Sequence, residues 1–226
     1  METYIILSEK PWHQELYHNL SIQFPSYQWI LISKQDDFTL DALVQINPKK
    51  IFIPHWSYII SAAIYSRFDC VLFHMTDLPF GRGGSPLQNL IVRGIKETKI
   101  SAIQVEKGID TGPIYLKSPL CLNGSAQEIF LRASVVMEDM IIRIINEQLV
   151  PEDQTGHIVN FKRRKAEDSD LSRIEDLHSI YDYIRMLDAD GYPNAFLEFG
   201  NFRLEFSGAK MKSDNIILAD VRIIEK

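Results

Sequence analysis

Cys70-Val71-Leu72-Phe73-His74-Met75-Thr76-Asp77-Leu78-Pro79-Phe80-Gly81-Arg82-Gly83-Gly84-Ser85-Pro86 is the stretch that decides the fold. The apolar run from Cys70 to Phe73 has strand length and ends on a histidine. A loop follows, marked by its prolines and glycines. Ser85-Pro86 then reads as the N-cap and first residue of a helix that Gly94 closes after Arg93. A strand feeding a loop and then a helix is the building unit of an α/β sheet, where ligands bind at the carboxyl ends of strands.

Upstream, Tyr4 to Leu7, Trp29 to Ile32 and Lys50 to Ile53 read as further buried strands. Amphipathic stretches at Pro11 to Ile22, Leu40 to Ile46 and Ser61 to Tyr65 lie between them as helices. This alternation implies an α/β, Rossmann-like domain with a mostly parallel sheet and right-handed crossovers. Downstream, Lys99 to Val105 and Ile114 to Leu120 are two more strands. Between them lies the loop Lys107-Gly108-Ile109-Asp110-Thr111-Gly112-Pro113. If the intervening helix is one crossover, this loop and the His74 loop leave the same end of the sheet.

Ser125 and Glu128 form a capping box for a long helix whose apolar stripe runs to about Ile145. The texture changes at Pro151 to Gly156, which predicts a domain over 1–150 and an appendage over 151–226. The appendage should hold a helix near Leu177 to Leu187. A small β-rich tail should follow, with strands near Asn194 to Phe199, Phe202 to Phe206 and Ile216 to Ile224. Gly200-Asn201 fits a hairpin turn. Phe199, Phe202, Leu204 and Phe206 offer more apolar surface than a lone hairpin can bury, so a homodimer through this region is expected.

Hydrophobic residues make up 46% and charged residues 24% of the 226, an ordinary globular balance. The formal net charge is −6. Proteins that grip nucleic acid by its phosphates usually present a basic surface. The charge alone neither forbids nor favours a tRNA partner; the expected partner is a small molecule, with no nucleic acid and no membrane. Cys70 and Cys121 lie in apolar strands and read as buried thiols. The N-terminus lacks a signal-peptide pattern, and the apolar stretch Met140 to Ile145 is short and interrupted by Arg143. A cytoplasmic protein is expected.

His74 alone, at a strand end, is as readily structural as functional. Asp110 alone, in Asp-Thr-Gly, reads more readily as a turn. Together they are informative, because an Asp beside a His orients the imidazole and favours its charged form. Such a pair passes protons at neutral pH. The Arg82-Gly83-Gly84 loop admits a phosphate cradle or a close approach of backbone to a flat ligand. The GxGxxG dinucleotide fingerprint is absent. His55, His74, Asp77 and Asp110 match no zinc spacing, and no metal is expected.

Four pieces in order, His74-Met75-Thr76-Asp77-Leu78-Pro79, Arg82-Gly83-Gly84-Ser85-Pro86, Gly94 and Gly108-Ile109-Asp110-Thr111-Gly112, resemble the formyltransferase domain. That domain is shared by enzymes acting on methionyl-tRNA, glycinamide ribonucleotide and nucleotide sugars. The resemblance continues through Phe161-Lys162-Arg163-Arg164-Lys165 and Gly191-Tyr192-Pro193-Asn194-Ala195-Phe196. It implies formyl transfer from 10-formyltetrahydrofolate to an amine, with His74 meeting the oxyanion and Asp110 setting the charge of the histidine. It places folate over Trp56, Ser57 and Tyr58, with Leu78, Arg82, Gly108 and Ile109.

Within the family, the likeness is drawn toward enzymes that formylate UDP-linked 4-amino-4,6-dideoxy sugars, including those of pseudaminic acid pathways. This assigns Gly83, Gly84, Arg163, Arg164, Arg185 and Tyr192 to the nucleotide sugar. A tRNA formyltransferase is the rival reading, and it would be expected to carry a larger, basic C-terminal domain, which this short tail does not supply. A folate- or sugar-nucleotide-binding protein without activity is the other, because the family places Asn two residues before the histidine and this chain has Leu72. Leucine has no donor to offer an oxyanion.

Overall fold

The computed structural model describes residues 1–226. The chain runs β1 (Thr3–Ser8), α1 (His13–Gln23), β2 (Gln28–Ile32), α2 (Leu40–Ile46), β3 (Lys50–His55), α3 (Ala62–Tyr65), β4 (Cys70–His74), β5 (Phe80–Gly83), α4 (Pro86–Ile91), β6 (Glu97–Gln104) and β7 (Ile114–Cys121). It continues with α5 (Ala126–Asn146), β8 (Val159–Phe161), α6 (Leu177–Arg185), β9 (Ala195–Phe199), β10 (Phe202–Ser213) and β11 (Ile216–Glu225). The strands and helices expected from periodicity are present, most with ends shifted by a few residues, while the strand expected at Phe202 to Phe206 runs on to Ser213.

The central sheet has the order β2-β1-β3-β4-β6-β7. β1, β2, β3 and β4 run parallel, and β6 runs antiparallel to β4. The fold is the expected mixed α/β with a mostly parallel sheet. β1 is buried along its whole length, which is why its sequence is a continuous apolar run rather than an alternating one. Burying each such side chain contributes roughly 1.5–3 kcal/mol. Local signals place the helices. Thr39 caps α2 by accepting from the Ala42 N–H, and Asn47 ends it in the left-handed region. Ser125 and Glu128 exchange the two capping-box hydrogen bonds expected of them.

Ser85 departs from its expected role. It stands before α4 at φ 51 and makes no side-chain cap. Its hydroxyl accepts from the Arg164 N–H instead. The stretch around Arg82, read as loop, contains β5, which pairs with β8.

Two compact units divide the chain. The first is Met1–Arg82, Thr98–Leu120 and Leu131–Asn160, and the second is Gly83–Glu97, Cys121–Phe130 and Phe161–Lys226. In this division α4 and the start of α5 group with the C-terminal residues, unlike the single boundary near residue 150 expected from the change of texture. In the second unit, β9, β10 and β11 form an antiparallel sheet. Arg203 and Arg222 pair with Glu198 and Glu205 on one face. The opposite face, by strand alternation, carries Phe199, Phe202, Val221 and Ile223, all exposed. The expectation of a dimer rested on this surface.

At the carboxyl end of β1, Ser8 Oγ lies 2.6 Å from His13 Nδ1, and both residues are buried. Desolvation, followed by the nearby His55 and Lys10, pushes the His13 pKa down to about 3. The unfolded chain binds a proton at this residue near pH 6.5 and the folded chain does not. Stability from His13 is thus complete above pH 6.5 and is lost as pH falls toward 3, with a limiting slope of about 1.4 kcal/mol per pH unit. Urea midpoints at pH 7, 5 and 4 are expected to fall more steeply for the wild type than for His13→Gln. Equal slopes would show that His13 does not carry this acid sensitivity.

Candidate active site

His74 is the last residue of β4, and its side chain is only 8% exposed. Its Nε2 lies 2.8 Å from the Gly81 carbonyl oxygen. A carbonyl can only accept, so Nε2 carries a proton. Nδ1 faces Asp110 Oδ2 at 3.5 Å, and the Asp110 side chain is 9% exposed. A proton on Nδ1 therefore meets a carboxylate, while a neutral ring turns its lone pair there. The expected pair exists, and one ring nitrogen is tied to a backbone oxygen.

The two residues meet by a route the sequence did not show. The register pairs His74 with Ser101 and Val71 with Gln104, and the Val105 N–H donates to the Cys70 carbonyl. The loop over 105–113 therefore leaves β6 at the opposite end of β4 from His74, not the same end. Asp110 reaches the histidine from a backbone held at φ 54, in the left-handed region.

Gly112 explains how the loop lies so close. A Cβ there would sit 1.8 Å from the Gln104 backbone oxygen. Gly112→Ala must push the Asp110 loop off β6. It is expected to reduce turnover by at least about tenfold, since displacing a catalytic group by about 1 Å can cost 10²-fold. Turnover within twofold of wild type would show that the loop position is unimportant.

The loop after His74 is pinned by groups that no motif announced. Ser101 Oγ donates to the Thr76 carbonyl and accepts from the Leu78 N–H. Asp77 binds Lys117 at 2.5 Å and Lys99 at 3.0 Å. Burial opposes its charge, but the two lysines outweigh that and hold its carboxyl below the usual range. Gln154 accepts from Arg82 Nε and Nη2 through Oε1. Its Nε2 donates to the carbonyls of Asp110 and Gly112 at 2.9 and 2.8 Å. A lone Gln in a polar stretch gives no sequence signal. Only its long-range partners mark it.

The remaining expected residues fall in different settings. Trp56 packs edge-on against Phe38 and Tyr58 and leans on the core cluster around Ile53. Tyr58 and Ile109 are exposed. Ser57 is exposed, and its N–H donates to Glu9. Gly108 lies in the left-handed region. Leu78 is fully buried, and its carbonyl accepts from Lys117. With its N–H taken by Ser101, nothing of Leu78 is left to contact folate in this conformation. The Arg82 guanidinium is engaged with Gln154.

Among the residues assigned to a nucleotide sugar, Gly83 and Gly84 have a packing role. A Cβ on Gly83 would meet the Phe161 oxygen at 2.3 Å, and one on Gly84 would meet Arg163 Cβ at 2.6 Å. Arg185 is buried and donates to Asp182 and to the carbonyls of Leu122 and Gly124. These contacts brace the second unit. Tyr192 stacks on Phe130, and burial pushes its phenol up to about 12. Arg164 lies over the Tyr183 ring and donates to the Asp168 carbonyl. Arg163 is exposed. No group of three or more His, Cys, Asp or Glu is placed to hold a metal ion.

A solved structure, a methionyl-tRNA formyltransferase from Clostridium thermocellum, is 51% identical to this chain. Each chain covers 100% of the other, with a TM-score of 0.97. The chain belongs to the formyltransferase family. The family description "Methionyl-tRNA formyltransferase, C-terminal domain" matches residues 166–224. A methionyl-tRNA formyltransferase of Thermodesulfovibrio yellowstonii is 26% identical over 159 residues, covering 67% of this chain. The chain spans about half (52%) of that curated relative's length. A sugar N-formyltransferase from Shewanella sp. is 15% identical, with coverage of 88% and 93% and a TM-score of 0.67, a likeness of fold alone.

These findings overturn the expectation of a UDP-amino-sugar acceptor and of a pseudaminic-type pathway. A methionyl-tRNA formyltransferase is 51% identical over the full chain, whereas the sugar N-formyltransferase likeness is one of fold alone. They equally overturn the exclusion of a nucleic-acid partner. The short tail that argued against tRNA formylation is the segment that matches the C-terminal domain of that family. No helix is long and apolar enough to cross a membrane.

Proposed function

We propose that this protein formylates the amino group of an aminoacyl-tRNA, methionyl-tRNA, using 10-formyltetrahydrofolate. The observation that carries the reading is the end-to-end 51% identity with the Clostridium thermocellum chain. The buried His74–Asp110 pair supplies the chemistry. Tyr58 and Ile109 offer exposed apolar surface that suits folate. Folate, when bound, presents an activated formyl carbon.

The protein's own residues do the rest. Asp110 and His74 hold a proton between Oδ2 and Nδ1. As the amine nitrogen bonds the formyl carbon, the Asp110 carboxylate takes the proton the amine loses, and the pair returns a proton to the folate nitrogen as its bond to that carbon breaks; Nε2 on the Gly81 carbonyl and Nδ1 toward Asp110 fix the imidazole for this transfer. Gly81 and Gln154 hold the ring and the carboxylate in register. The test is purified protein with 10-formyltetrahydrofolate and charged methionyl-tRNA, following tetrahydrofolate release and formylated tRNA together. Failure to formylate the tRNA would overturn the acceptor. Leu72 favours a second reading, folate binding without turnover. That reading predicts saturable folate binding with no tetrahydrofolate released under any acceptor.

A further inference from the structure

We infer that Gln154 is a positioning residue of the reaction, clamping both walls of the His74 site through one side-chain amide. The inference rests on the formyl-transfer reading above. The hydrogen bonds form a closed circuit. His74 Nε2 donates to the Gly81 carbonyl. The next residue, Arg82, donates twice to Gln154 Oε1, at 3.1 and 2.8 Å. Gln154 Nε2 donates to the Asp110 and Gly112 carbonyls. Asp110 Oδ2 faces His74 Nδ1 and closes the ring of contacts. Gln154 therefore ties the strand that holds one ring nitrogen to the loop that holds the other.

The loop needs such a tie. Asp110 sits at positive φ, a conformation that a non-glycine residue keeps only when its surroundings impose it. It also lies at the end of β4 opposite to the one its own chain direction would favour. The segment carrying Gln154 is itself docked, since Glu152 exchanges both backbone hydrogen bonds with Ile114 at the start of β7. The amide's two ends match their partners in type: the oxygen takes a cationic donor and the nitrogen serves two carbonyls. A carboxylate at this position would keep the first and lose the second.

The experiment uses Gln154→Leu, Gln154→Glu, Asp110→Asn and the Gln154→Leu/Asp110→Asn double variant in the full chain. The first readout is the pair of ring ¹⁵N shifts of His74, recorded on the folded, ligand-free protein. Both Gln154 variants are expected to move these shifts toward those of Asp110→Asn. Gln154→Glu retains the Arg82 contact and guards against loss of fold. The second readout is turnover. Gln154→Leu is expected to lower kcat by at least about tenfold, with the KM for 10-formyltetrahydrofolate within about threefold of wild type. The double variant is expected to be no slower than Asp110→Asn, because both changes break one unit. Wild-type ring shifts in folded Gln154 variants, or losses that multiply in the double variant, overturn the inference. A wild-type protein that transfers no formyl group defeats the functional reading instead, and the ring shifts still decide the role of Gln154.

Discussion

His74→Asn and Asp110→Ala are each expected to lower formyl transfer by at least about 10³-fold while leaving the protein folded. A positioned acid or base contributes typically 10²–10⁴, and a single donor to developing negative charge contributes about 10²–10³. His74 is placed for proton transfer with Asp110, which its Nδ1 faces, and it becomes a donor to the oxyanion only when its Nε2 N–H leaves the Gly81 carbonyl. Removing either partner leaves the other buried without its match. The two losses should therefore not add. The double variant is expected to be no slower than the worse single one. Melting temperatures separate this from unfolding, because the β4 pairing with β3 and β6 is backbone and survives both changes. Turnover within tenfold of wild type in either folded variant would remove the pair from the chemistry.

Element type and order were legible in the sequence because burial writes itself as period. The continuous run Tyr4 to Leu7 could only be a strand covered on both faces, and it is. The His74–Asp110 pair was legible because two polar residues stood in glycine-bounded loops next to apolar strands. Strand direction was not legible. Nothing in Lys99 to Val105 distinguishes an antiparallel strand from a parallel one, so the loop carrying Asp110 was placed at the wrong end of β4. Gln154 was invisible for a related reason. Its role lies in four hydrogen bonds to residues 42 to 72 positions away in the chain.

The acceptor was misjudged on a resemblance of short motifs and on tail length, and the nucleic-acid partner on bulk charge. A net charge of −6 says nothing of local surface, and tail length was read as if only a large basic domain could serve tRNA. Arg185 shows a different ambiguity. An arginine in a polar-looking helix was read as a ligand contact, when its donors bind Asp182 and two carbonyls within its own unit. Long cationic side chains often serve to satisfy orphaned backbone oxygens, and sequence does not separate that from ligand binding.

Leu72→Asn is expected to raise kcat by at least about tenfold. Leu72 lies two residues before His74 on β4, so both side chains project from one face of the strand. Families resembling this chain place an asparagine there, and an amide donor to developing negative charge typically contributes about 10²–10³. The side-chain amides that could stand in are committed elsewhere. Asn89 donates to the carbonyls of Gly84, Ser85 and Lys162, and Gln154 holds Asp110 and Gly112. His74 is likewise engaged with the Gly81 carbonyl and Asp110, so the wild-type protein meets the charge with backbone N–H groups or water of the bound state unless Nε2 leaves Gly81. Leu72 packs at the margin of an apolar cluster, so the asparagine costs about 1–3 kcal/mol of stability until its amide finds a partner. Leu72→Ala is the control, because it loses the packing without adding a donor. The expected pattern is lower stability for both variants and a kcat gain for Leu72→Asn alone. If Leu72→Asn is folded and turns over no faster than wild type, the charge is already met by another donor, and the departure at Leu72 has been compensated within the site.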